Sequence, residues 1–140
     1  MDRLILLIAV ATVASGLALL LQRRRPDAPV RTGWTVPEQL DRDDFEYPDA
    51  PWLVTVFTSD SCESCNSVMA TALPLASPEV AVQEVEVGRD RAIHDRYAID
   101  AVPMVLISDV RGVVRDHHVG PVSATHLWGS LAELLSLIHI

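Results

Sequence analysis

Cys62 and Cys65 are the only thiols in a chain of 140 residues, and they stand three apart in Cys62-Glu63-Ser64-Cys65. They follow the apolar run Trp52-Leu53-Val54-Thr55-Val56-Phe57, so they fall where a strand hands over to a helix. At a helix start, unpaired backbone N–H groups and the positive end of the helix dipole favour thiolate over thiol and make Cys62 a nucleophile. A second thiol one turn further on can attack the mixed disulfide that results. The chemistry that suits this spacing is thiol–disulfide exchange, with Cys62 attacking and Cys65 resolving. Two other uses of the pair stay open at this level. One is a small structural disulfide, which adds little stability because so short a loop restricts the unfolded chain only weakly. The other is zinc, which needs two further ligands; His94, His117, His118, His126 and His139 show no paired metal spacing, although the adjacent His117 and His118 could be recruited. No metal is expected.

Several elements must position this pair. Residues 52–57 form the strand before it. The helix opened by Cys62 runs through Val68, Met69, Ala72 and Leu73, whose spacing gives an apolar face, and Pro74 and Pro78 limit its length. In residues 80–87 valine alternates with polar residues through the second half, the period of a strand. Residues 90–97 suit a short helix. In Ile99-Asp100-Ala101-Val102-Pro103, an extended residue precedes a proline that begins the strand Met104-Val105-Leu106-Ile107. Asp109-Val110-Arg111-Gly112 reads as a hairpin turn, residues 113–119 as its second strand, and Ser123 as the N-cap of a last helix that buries Leu127, Leu131 and Leu134.

Strand, CxxC, helix, strand, helix, X-Pro, hairpin and helix, in that order over roughly residues 38–135, resemble thioredoxin. The resemblance implies an α/β thioredoxin fold, a mixed central sheet flanked by helices. It implies that Val102-Pro103 is cis and faces the cysteines, that the backbone of Val102 pairs with the bound substrate segment, and that Gly120 matches the family's late glycine. The usual first helix is expected to be missing, because only Glu46-Tyr47-Pro48-Asp49-Ala50-Pro51 lies between Phe45 and Trp52. Residues 38–51 are expected to supply no more than a short edge strand at 38–40, followed by the acidic cluster Asp41, Asp43, Asp44, Glu46 and Asp49.

Departures from the family pattern touch proton transfer. The typical motif is Trp-Cys-Gly-Pro-Cys, and here it is Ser61-Cys62-Glu63-Ser64-Cys65. Losing the tryptophan removes part of a flat apolar docking surface. Glu63 sets a negative charge beside the nascent thiolate and opposes the helix dipole, so the pair is expected to act as a reductant rather than a disulfide donor. The family's buried aspartate falls at Val56 and its lysine at Glu84. The expectation is that Glu84 replaces the aspartate from the neighbouring strand as proton acceptor for Cys65; a Glu84 that simply points to solvent is the alternative, and Asp60 and Glu63 are further candidates from the exposed loop. Catalytic Cys62, Cys65 and Glu84 and substrate-binding Val102 and Pro103 make up the expected site.

Composition bounds the rest. The chain is long enough for one compact domain of about 100 residues, because its 49% hydrophobic content includes an N-terminal stretch, residues 4–21, without a charge. That stretch is long enough to span a bilayer. It meets Gln22-Arg23-Arg24-Arg25 with no small-residue cleavage site between, so an uncleaved anchor is expected rather than a signal peptide. The expected organisation is an anchor at 1–22, a linker at 23–37 carrying Pro26, Pro29 and Pro37, and the thioredoxin-like domain at 38–140. Arginines after the span outweigh Arg3 and the α-amino group before it, which places the domain in the cytoplasm; an extracytoplasmic domain is the alternative.

All eleven basic residues are arginine, which fits a GC-rich, bacterial coding sequence. After residue 31 the acidic residues outnumber the arginines by about eleven, and that balance argues against nucleic acid. The bland reading of the acidic surface is solvation. Arg89, Arg91 and Arg96 are expected in solvated pairs on the short helix, and Trp52 and Trp128 in the core or at its edge. Ser136-Leu137-Ile138-His139-Ile140 resembles the translated read-through of a sequencing adapter, so the natural C-terminus is expected to be replaced there and His139 to carry no function.

The functional expectation is a single-pass membrane-tethered thiol–disulfide oxidoreductase, serving cell redox homeostasis by reducing protein disulfides. No flavin or nicotinamide motif is present, so no cofactor is expected and the electrons come from a redox-partner protein. Two alternatives accompany it: an envelope-facing reductase for apocytochrome thiols in cytochrome c maturation, and a redox-inert thioredoxin-fold adaptor that binds a protein partner.

Overall fold

A computed structural model describes residues 1–23 and 34–137, and the chain divides into two units, Met1–Thr32 and Gly33–Ile140. The expectations placed on Arg24, Arg25, Pro26, Pro29 and residues 138–140 lie outside the described residues. The first unit holds α1, Asp2–Arg23. Its 22 residues give a rod of about 33 Å, long and apolar enough to cross a bilayer. Thr12 turns its hydroxyl back on the helix, to the carbonyls of Ile8 (3.0 Å) and Ala9 (2.8 Å), so this polar group is satisfied without water.

The second unit is built on a four-stranded sheet. Its strands are β1 (Trp52–Thr58), β2 (Val80–Glu86), β3 (Met104–Asp109) and β4 (Val114–Val119), in the order β2-β1-β3-β4. β1 runs parallel to β2 and antiparallel to β3, and β3 is antiparallel to β4. Between β1 and β2 lies α2 (Glu63–Ala72), between β2 and β3 the short α3 (Arg91–Arg96), and after β4 comes α4 (Ala124–Leu137). All seven residues of β1 are buried, as befits a central strand covered on both faces.

The two faces divide the core by strand alternation. Trp52, Val54, Val56, Val105 and Ile107 meet Val68 and Ala72 of α2 and Leu127 and Leu131 of α4, with Leu134 packed against them. Leu53, Phe57, Val85, Met104 and Leu106 meet Leu40 and Phe45, with Ile93 and Tyr97 of the α3 region packed on them. Ser123 caps α4, its Oγ accepting from His126 N at 3.3 Å. Trp52 lies in the core, whereas Trp128 is 44% exposed and donates its indole N–H to the Thr71 carbonyl at the core's edge.

Residues 38–51 differ from the expected edge strand in one respect. Pairing is limited to a single bridge, Gln39 with Val113. The reason is local: Asp41 Oδ1 accepts from Asp43 N and caps a 3-10 turn over Arg42–Asp44, which takes the backbone out of extended conformation. This turn is the only helical structure among the described residues between Trp34 and Trp52, so the usual first helix is missing, as expected. The segment is docked on the β3–β4 hairpin by Leu40 N to Gly112 O, 2.8 Å. Gly112 has φ +80°, and a Cβ there would collide with the Leu40 carbonyl, so the turn needs glycine.

The acidic cluster is more engaged than a solvated surface. Arg96 pairs with Asp44 (2.7 Å) and Asp41 (3.2 Å), and the Tyr97 hydroxyl donates to Asp44 while accepting from Asp41 N. Arg89 pairs with Asp90 at 2.8 Å, and both arginines are largely exposed.

Candidate active site

β1 ends at Thr58 and the chain turns at once. The turn is held by Cys62 N to Ser59 O, 3.2 Å, and by paired hydroxyls of Ser59 and Ser61, 2.9 Å apart. Cys62 is the N-cap of α2, extended at φ −93°, ψ 108°, so its side chain stands at the helix mouth and Cys65 lies one turn on. The two sulfurs are joined as a disulfide with a Cα separation of 5.4 Å. Their environments differ: Cys62 is half-buried, and Cys65, packed under the helix, is 2% exposed. This asymmetry leaves the first cysteine partly open to solvent and the second protected. Ser64 Oγ is 3.7 Å from Cys62 Sγ, and Glu63 stands exposed in the first turn of α2.

The Val102–Pro103 peptide bond is cis. Phe57 pairs with Met104, so the register puts Pro103 across from Thr58, at the end of the sheet from which the cysteine loop departs. Gly120 N donates to Pro103 O at 2.8 Å and ties the proline to the end of β4. Ser59 and Val102 line the same cavity, so the cysteine loop and the proline loop are neighbours.

Glu84 pairs with Val56 across β1 and β2 and lies on the α2 side of the sheet. It is half-buried, and its carboxylate accepts the hydroxyl of the buried Thr58 at 2.7 Å. No hydrogen bond joins it to either cysteine among the described residues. Thr58 was not singled out by sequence reasoning; the signal available was its place at the end of the apolar run, on the same strand face as Val54 and Val56. Asp60 is exposed in the loop.

No group of three or more His, Cys, Asp or Glu side chains among the described residues is arranged to hold a metal ion. His118 is 3.0 Å from Ser130 Oγ and 4.0 Å from Asp116, both measured at Nε2. Burial pushes its pKa below the ordinary histidine value, against the pull of Asp116. A cavity of about 580 Å³ lies beside Arg42, Tyr97 and Arg111, at the hairpin end of the sheet and away from the cysteines.

No protein-family model matches the sequence, and no curated protein matches it. Solved structures do resemble the fold. Mitochondrial thioredoxin 3 from Saccharomyces cerevisiae, in its oxidized form, is 19% identical, with a TM-score of 0.52 over 61% of this chain and 81% of that one. A mutant thioredoxin from Halobacterium salinarum NRC-1 is also 19% identical, with a TM-score of 0.53 over 68% and 89%. A malarial protein, 12% identical, has a TM-score of 0.52 over 59% and 94%. The second unit therefore has a thioredoxin-like fold, a mixed four-stranded sheet with helices and a CxxC pair at the start of α2.

Proposed function

We propose that this chain is a membrane-tethered thiol–disulfide oxidoreductase that reduces protein disulfides. The observation that carries the reading is the unequal burial of two cysteines joined at the mouth of α2, beside the Val102–Pro103 loop. Once the pair is reduced, Cys62 thiolate attacks one sulfur of the substrate disulfide, and the other sulfur leaves as a thiolate and takes up a proton. Cys65, having lost its proton, then attacks Cys62 Sγ. The second substrate thiol departs and the Cys62–Cys65 disulfide forms. The substrate gains two electrons and two protons, and the protein loses them. A dithiol redox partner must restore the reduced pair. Val102 offers its backbone to the substrate segment, with Pro103 behind it. Catalytic turnover of a protein disulfide in the presence of a dithiol, above the rate of the dithiol alone, is the expected result. A rate equal to that of the dithiol alone would leave the redox-inert adaptor.

Glu84 serves as proton acceptor for Cys65, from the face of the sheet that α2 covers. Its hydrogen bond to the buried Thr58 hydroxyl supports this role by fixing the carboxylate near the end of β1, where the cysteine loop begins. Glu84→Gln keeps the size of the side chain but removes the base. The variant should therefore slow the resolving step and change its dependence on pH; an unchanged pH profile would remove Glu84 from the mechanism.

α1 holds the domain at a bilayer, with the domain on the cytoplasmic side, as the arginines after the span favour. A membrane-impermeant thiol label applied to intact cells should then modify Cys62 only after permeabilisation. Labelling of intact cells would instead mean an envelope enzyme whose electrons cross the membrane.

A further inference from the structure

α3 carries a buried group that this mechanism leaves unused. Ile93 and Tyr97 pack on the second core face, and His94 is 4% exposed beside them. Its Nε2 lies 2.8 Å from the Val85 carbonyl. A carbonyl oxygen can only accept, so Nε2 carries the hydrogen, and in the neutral ring Nδ1 is then an acceptor. The ring also meets Phe57 edge-on, with centroids 5.2 Å apart and planes at 87°, which fixes its orientation.

Nδ1 has no hydrogen-bond partner among the described residues. Nor is it one of the fully enclosed unpaired atoms among the described residues, which are Arg42 Nε, Thr55 Oγ1 and Ser108 Oγ. The free nitrogen therefore keeps some exposure, and His94 lines a cavity of about 160 Å³ shared with Ser59, Val87, Ile99, Asp100 and Val102. This cavity opens between the cysteine loop and the residue before Pro103.

Resting on the oxidoreductase reading, we infer that His94 Nδ1 is a specificity group, which accepts a hydrogen bond from a serine or threonine side chain of the substrate segment laid along Val102. A donor is required because Nδ1 accepts, as does the nearby Asp100 carboxylate. A short side chain is required by the size of the cavity. Val87, Ile99 and Val102 offer an apolar wall to a methyl group, so threonine satisfies the pocket better than serine. A valine of the same shape would leave the buried acceptor unpaired, the situation in which a polar site discriminates well.

The test uses the full chain, reduced with a dithiol, and disulfide-linked peptides in which the two residues on either side of the reacting cysteine are varied one at a time among threonine, valine and lysine. At one position, threonine should exceed valine in kcat/KM by about three- to tenfold, the effect of one hydrogen bond. In His94→Leu that ratio should fall to about one, a readout that a general loss of activity does not move. Equal rates for threonine and valine at every position in the unaltered chain would overturn the assignment without any variant. So would a threonine preference that survives in His94→Leu. Lysine favoured over threonine would make Asp100 the reading group and overturn it as well. A chain that turns over a small aromatic disulfide but shows no threonine preference loses only this assignment. One that reduces neither peptides nor the small disulfide loses the oxidoreductase reading along with it.

Discussion

Replacing Cys65 with serine should leave the reduced protein covalently joined to its substrate. Cys62 stays half-exposed at the mouth of α2 and can still attack a disulfide, but the sulfur that would release the adduct is gone. On a non-reducing gel, Cys65→Ser should accumulate a mixed disulfide that a small thiol dissolves. Cys62→Ser should form no adduct and should lower turnover to that of the dithiol alone, because Cys65 is 2% exposed and cannot meet a protein disulfide. These two outcomes follow from unequal burial, so they test the assignment of roles as well as the need for both thiols. Adducts from Cys62→Ser but none from Cys65→Ser would reverse the roles.

Arg42→Ala should be the most damaging substitution far from the cysteines. Arg42 is 6% exposed, and its guanidinium donates to three carbonyls: Asp109 O at 2.7 Å, Tyr47 O at 2.7 Å and Ala50 O at 2.9 Å. Those carbonyls belong to the end of β3 and to the proline-rich connection that leads into β1. Burial lowers the arginine pKa, while Asp109 and Asp49 counter it and keep the cation in place. Alanine would leave the Ala50 carbonyl without a donor, would take one of two donors from Asp109 O and Tyr47 O, which keep Gly112 N and Ala50 N, and would open a cavity beside them. Three hydrogen bonds from a charged group, one orphaned acceptor and the cavity together suggest a loss of about 3 kcal/mol. For a domain of this size, that lowers the thermal midpoint by roughly 10 to 20 °C. Arg42→Met, which keeps the volume but not the donors, should lose nearly as much, and Arg42→Lys less, since one ammonium can serve only some of the carbonyls. A change within about 0.5 kcal/mol for Arg42→Ala, the size of an ordinary surface substitution, would show that the three bonds add nothing net. Because the guanidinium sits at the Trp52 end of the sheet, the Cys62–Cys65 chemistry should persist at temperatures where the variant is folded.

The contrast between these two predictions marks the limit of sequence reading. The cysteine pair was legible because its spacing, the apolar run before it and the proline after it are local patterns. β1, β2, β3 and their helices were legible for the same reason, since hydrophobic period and turn chemistry operate within a dozen residues. The missing first helix could be seen from the prolines at Pro48 and Pro51. Arg42 gave no such signal. It stands in an acidic stretch that reads as solvated, and only the approach of Asp109, 67 residues away in sequence, turns it from a surface charge into a buried clasp.

His94 and Glu84 show the same division. By spacing, His94 is one more residue of a short helix, and Glu84 one more polar position in an alternating strand. What gives each a direction is a partner from elsewhere: Val85 O and Phe57 for His94, the Thr58 hydroxyl for Glu84. The sequence by itself determined the order of elements, the apolar N-terminal helix and the place of the cysteine pair at a strand-to-helix junction, because these follow from composition and short-range periodicity. Only the tertiary structure decided which charges are buried and which ring nitrogen of His94 is held, because burial and hydrogen bonding between distant residues depend on how strands are registered and layers packed.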